Sequence, residues 1–214
     1  MVDPAENIYV QLEAAAALAA YENNDGWDFL TKSLNSSYLN VQLETVIVIS
    51  EIKNKKSEKL LMDVLTDTMR DSEIRAGAAW ALGNFVTHAA VLSLIDTFNT
   101  TNQDIKIEAA RALLKIAPSQ VSFIEDLFIN IDNEKRDGIA WTLAHSDGID
   151  LFPISGEKVD DSLRLWSSYI AGYGKDHLTE EQLSQLCKND PEVYFAASVL
   201  WQILSSWIND RREY

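Results

Sequence analysis

The sequence predicts an all-α fold, a solenoid of about seven helix pairs stacked side by side through a single domain, residues 1–214. Three observations predict it. A ten-residue pattern recurs at intervals of about 28 to 33 residues, the length of a helix-pair repeat. The segments between recurrences carry helical apolar periodicity. The chain holds only 8 Gly and 4 Pro, which favours helices joined by short polar turns over a strand-rich fold.

The clearest copy of the pattern is IRAGAAWALG, Ile74 to Gly83, with relatives starting at Val10, Val41, Ile105, Lys135, Leu163 and Val193. Its form is apolar, basic, two variable, two small, variable, small, Leu, Gly. Positions one, five, eight and nine fall within about 100° of arc on a helix; here they are Ile74, Ala78, Ala81 and Leu82. Small residues on that stripe let a neighbouring helix approach closely. So narrow a stripe needs stacked neighbours to bury it.

A second apolar segment follows each of the first four copies. These are Trp27, Phe29, Leu30 and Leu34; Leu60, Leu61, Val64 and Leu65; Val91, Leu92, Leu94, Ile95 and Phe98; and Val121, Ile124, Leu127 and Phe128. The spacings suit a second helix antiparallel to the first. Ser72 and Asp104 stand where they can cap helix N-termini.

The later units depart from this regularity. Near 145–160 the second helix is reduced to DGIDLFPISG, where Pro153, Gly148 and Gly156 predict a short helix or a turn. The last unit, 191–214, is incomplete, and Trp201, Trp207 and Ile208 leave its end partly apolar, so it either caps the stack or docks on more protein. The abrupt first repeat suits either a stand-alone short protein or a domain of a longer chain.

Composition excludes several functions. With 18 basic against 33 acidic residues the net charge is −15, a field that repels phosphate backbones and argues against nucleic acid. The one dense basic cluster is Lys53, Lys55, Lys56 and Lys59. Cys187 stands alone, so neither an intrachain disulfide nor a cysteine zinc site can form. Met1-Val2-Asp3-Pro4 lacks the features of a signal peptide, and no apolar run spans a bilayer. A cytoplasmic protein without a membrane partner is expected.

No catalytic chemistry stands out. His88, His145 and His177 have no second His or Cys at three or four residues that would make a helical metal pair. There is no Gly-rich phosphate loop and no Gly-x-Ser-x-Gly elbow. Cys187 follows Leu183 and Leu186 on an expected helix and reads as core packing or a partly exposed thiol. No enzyme activity, metal or cofactor is expected.

One constellation rises above this background. Position seven of the pattern is Trp80, Arg111, Trp141 and Tyr169 in four consecutive units, and it points roughly 150° from the buried stripe. Equivalent positions in a regular stack recur about 10 Å apart, so these side chains could form a ladder with the Arg111 guanidinium between two indoles. Trp, Tyr and Arg dominate binding hot spots; the alternative is lateral packing that only holds the stack together. A second candidate surface is the row of second helices, where Asp28, Lys32, Glu58, Asp63, Asp96 and Glu125 are expected to face outward as a solvated face.

IRAGAAWALG at 74–83 and IKIEAARALL at 105–114 resemble the HEAT-repeat family, most closely the short subtype named after phycobilisome lyases. The resemblance covers nearly the whole chain and is strongest in the first four units. It implies a right-handed α-α superhelix whose second helices line a concave surface, and uses ranging over scaffolds, adaptors, lyases and chaperones. The paired His-Glu dipeptides of di-iron HEAT-like enzymes are absent from the sequence, and HEAT-like DNA glycosylases need a basic groove. The function expected is therefore a scaffold or adaptor that binds a protein partner with a preference for basic segments. The alternatives are a bilin-lyase-like enzyme or chaperone holding a tetrapyrrole, or a structural module of a larger protein.

Overall fold

The computed structural model describes residues 7–98, 102–131 and 135–145, together with Leu163, Trp166, Ser167 and Ile170. Among them every regular element is a helix and none is a strand. The chain divides into two compact units, Met1–Ile116 and Ala117–Tyr214.

In the first unit the recurring pattern forms α1 (Ile8–Ala20), α3 (Leu39–Ile52), α5 (Ser72–Leu82) and α7 (Gln103–Ile116). The intervening segments form α2 (Asn24–Ser33), α4 (Lys55–Thr66) and α6 (His88–Phe98). Helices α1, α3, α5 and α7 pack side by side in that order, and each of α2, α4 and α6 packs against the pattern helix before it and the one after it. This two-layer stack is the α-solenoid that the repeat predicts. In the second unit a 3-10 turn (Ala117–Ser119) leads into α8 (Val121–Asn130), which packs on α9 (Arg136–Ala144). The irregular stretch around Gly148, Pro153 and Gly156, His177, Cys187 and the last unit at 191–214 lie outside the described residues.

Ile74, Ala78, Ala81 and Leu82 are fully buried, as the pattern requires. The buried surface of α5 is wider than one stripe, however, since Ala76 and Ala79 are buried too. Helix α1 explains why. No described helix precedes it, and of its counterparts of the stripe Val10, Ala14 and Ala17 are exposed and Leu18 is half-buried, while Leu12, Ala15, Ala16 and Ala19 are buried. The stripe thus faces the preceding pattern helix, and positions three, six and ten face the following one. An inner helix has neighbours on both flanks and needs small residues on both.

Small residues set the helix spacing. A Cβ on Gly26 would lie 2.6 Å from the Ala15 carbonyl oxygen and 2.7 Å from the Ala19 nitrogen, so α2 crosses α1 in near backbone contact. Gly83, position ten of α5, meets Ala112, position eight of α7, in the same way, with the Ala112 Cα 3.1 Å from where a Cβ would stand.

Polar side chains close the helix ends. Asn7, Asn23, Asn54, Asp71 and Asn102 accept from backbone N–H groups at the starts of α1, α2, α4, α5 and α7. The caps at α5 and α7 are therefore Asp71 and Asn102; Ser72 and Asp104 are the first and second residues of their helices. Residue two of the pattern has a matching role at the opposite ends. Arg75 Nε donates to the Leu65 carbonyl near the end of α4 (2.9 Å), and Arg136 donates to the carbonyls of Phe128 (3.2 Å) and Ile131 (2.9 Å) at the end of α8. Gln42 reaches the Ser36 carbonyl after α2, and Lys106 lies over the Phe98 ring that ends α6. The basic residue of the repeat is thus a clamp on the helix before it, where free carbonyls and the helix dipole favour a cation.

Candidate protein-binding face

A ladder of polar contacts fixes the register of the pattern helices. Lys115 Nζ donates to Asn84 Oδ1 (2.5 Å), and Asn84 Nδ2 donates to Ser50 Oγ (3.2 Å). These residues occupy position eleven of α7, position eleven of the α5 pattern and position ten of α3. With the three helices locked at one height, their seventh positions stand level. Those positions are Ile47, Trp80 and Arg111, and all three are exposed. Trp80 keeps 46% of its surface in solvent and Ile47 37%, an unusual exposure for an indole in so well buried a helix. Gly77, one turn before Trp80, is half-buried, and the Leu43 and Val46 side chains of α3 pack against it, 3.3 and 3.8 Å from where a Cβ would stand.

Around this column the charge is mostly negative. Glu51 and Glu73 are exposed, and Glu44 and Glu108 are half-buried. Arg111 donates to Glu108 one turn back on the same helix. Glu44, Glu51 and Glu73 have no ion-pair partner among the described residues.

The residues of the four-residue ladder, Trp80, Arg111, Trp141 and Tyr169, differ in their surroundings. Trp80 and Arg111 point outward as expected. Trp141 does not: it is 2% exposed, and His145, one turn further along, stacks on its ring with centroids 4.2 Å apart. Position seven is a surface position only where nothing covers the outer face of the helix, and in α9 that face is covered. The Arg111 guanidinium turns to Glu108 on its own helix. The cations over rings among the described residues are Lys56 on Trp27 and Lys106 on Phe98. Tyr169 lies outside the described residues. Ile47 was readable in the sequence, since VQLETVIVIS places it at the same position seven; attention to aromatic and Arg side chains passes over it.

The second-helix surface is also mixed. Asp28, Lys32, Asp63 and Asp96 are exposed as expected, and Glu125 is half-buried. Glu58 is the exception. It is buried and accepts a hydrogen bond from Thr87, whose hydroxyl also accepts from Ala90 N and so caps α6. A carboxylate at this position ties α4 to the start of α6 instead of meeting solvent. Lys59 pairs with Asp63 at 2.9 Å, but both ends are exposed, so the pair contributes little.

Residues 27–114 match the family described as HEAT repeats. That span runs from α2 into α7 and contains Ile47, Trp80 and Arg111. Among solved structures, the crystal structure of an engineered protein is similar at 21% identity, covering 96% of this chain and 94% of that one, with a TM-score of 0.38. The comparison with curated proteins finds no match. Among the described residues no helix is long and apolar enough to cross a membrane, and no group of three or more His, Cys, Asp or Glu is placed to hold a metal ion.

Proposed function

We propose that the chain is a protein-interaction scaffold, acting by binding rather than catalysis and preferring basic segments of its partner. HEAT repeats generally serve protein interaction, and the match over 27–114 supports that use here. The observation that carries the reading is the exposed indole of Trp80, level with Ile47 and Arg111 on three registered helices. Large amphipathic side chains of this kind supply binding energy when a partner desolvates them. The net charge of −15 supports the preference for basic partners, because opposite charge speeds encounter and selects against acidic competitors. The resemblance of IRAGAAWALG at 74–83 and IKIEAARALL at 105–114 to the short subtype named after phycobilisome lyases is the ground for proposing that subtype. A cytoplasmic setting is proposed with it, on the single cysteine.

The test is affinity capture from the source cell with the wild-type chain and with Trp80→Ala. A partner that is enriched by the wild type, released by salt and depleted from the variant supports the proposal. Equal recovery on both, or recovery of nucleic acid, overturns it.

A further inference from the structure

The column on α3, α5 and α7 has a spacing and a charge that specify its occupant more closely. Neighbouring helices in such a layer lie about 10 Å apart, and the Ser50–Asn84–Lys115 ladder holds them level. A partner crossing the stack must therefore present a side chain every 10 Å or so on one face. In an extended strand three residues cover about that distance, but successive side chains alternate, so residues i and i+3 face opposite ways. In an α-helix seven residues rise about 10.5 Å and return to within about 20° of the same face. The column is spaced for a helix with an apolar residue at every seventh position.

Charge sets the rest of the partner's face. Ile47 and Trp80 form the apolar centre, with Leu43 packed against Gly77 between them, and Glu44, Glu51 and Glu73 flank it without ion-pair partners among the described residues. Arg111, already paired with Glu108, closes one end. We propose that the outer face of α3, α5 and α7 docks a basic amphipathic helix lying across the three helices. Its apolar residues, seven apart, seat on Ile47 and Trp80, and its Lys and Arg residues meet Glu44, Glu51 and Glu73. The inference rests on the scaffold reading above and names the face and the partner chemistry for it.

The test is fluorescence anisotropy of the full chain with a fluorescein-labelled, Lys-rich helical peptide carrying Leu at every seventh position. Its control has the same composition, reshuffled so that Leu falls on all sides. The heptad peptide should bind at least about tenfold more tightly than the control. Trp80→Ala with Ile47→Ser should weaken it by about tenfold or more. The triple change Glu44→Gln, Glu51→Gln, Glu73→Gln should weaken it comparably and flatten the salt dependence. Asp28→Asn, Asp63→Asn, Asp96→Asn on the second helices should leave it unchanged, and circular dichroism should report folded chain in every case. Equal affinity for the two peptides, or loss only in the second-helix variant, would overturn this docking face while leaving the scaffold proposal intact. Failure of the capture experiment above would remove that proposal itself.

Discussion

Gly26→Ala and Gly77→Ala are the same chemical change in two helices of one stack, and the structure gives them opposite signs. A Cβ at residue 26 would stand 2.6 Å from the Ala15 oxygen, 2.7 Å from the Ala19 nitrogen and 2.9 Å from the Leu18 Cβ. Two of these are backbone atoms of α1, which cannot rotate away, so α1 and α2 must separate by about half an ångström or more. Overpacking against backbone that cannot yield lies at the upper end of the usual range, about 2–3 kcal/mol, against about 1 kcal/mol gained by replacing Gly with Ala inside a helix. The net expectation is a loss of about 1–2 kcal/mol, or a fall in Tm of roughly 2–8 °C for a chain of this size. At residue 77 the nearest atom is the Leu43 Cδ2 at 3.3 Å, the far end of a side chain that can turn aside. There the propensity gain dominates, and stability should be unchanged or rise by up to about 1 kcal/mol. Urea denaturation followed by circular dichroism measures both. Hydrogen exchange should place the Gly26→Ala loss in α1 and α2, with protection falling about tenfold. A Gly26→Ala chain as stable as wild type would refute the backbone contact that sets the spacing of this layer.

Other consequences follow from named contacts. Trp141→Ala should cost about 3–5 kcal/mol because the ring is buried, whereas Trp80→Ala should cost under about 1 kcal/mol, its ring being half in solvent; thermal melts of the two variants give the comparison. Arg136→Ala removes donors from two carbonyls at the end of α8 and should cost about 2–3 kcal/mol, more than Arg75→Ala, which loses one bond to Leu65. Thr87→Val leaves the buried Glu58 carboxylate without its hydroxyl donor and should cost about 1–3 kcal/mol. Thr87→Ser keeps the hydroxyl and should melt close to wild type.

The sequence made the repeat legible because a helix pair needs the same small and apolar residues at each copy. Ile74, Ala78, Ala81 and Leu82 could be named as core, and α2, α4, α6 and α8 placed, from spacing alone. The periodicity of one segment cannot say how many neighbours it has, which is why Ala76 and Ala79 escaped the stripe and why Val10 is exposed in α1. The candidate face was harder to read for the same reason. Trp80 and Trp141 occupy one position of one pattern, yet only the packing around each decides that the first meets solvent and the second meets His145. Glu58 shows the limit for charges, since a carboxylate that reads as solvated becomes a buried tie once the Thr87 hydroxyl is brought to it. The clamp role of residue two was present as a chemical regularity, Gln42, Arg75, Lys106 and Arg136, but its acceptors are carbonyls, which carry no sequence signal.

Cross-linking mass spectrometry of the wild-type chain with its captured partner, before and after salt elution, locates the binding face. The expected result is a protein partner whose basic, helical segment cross-links to acidic residues of α3 and α5, Glu73 and Glu51 foremost, and which leaves as salt screens the contact. Cross-links confined to regions remote from α3, α5 and α7, or a captured species that is nucleic acid, would contradict it.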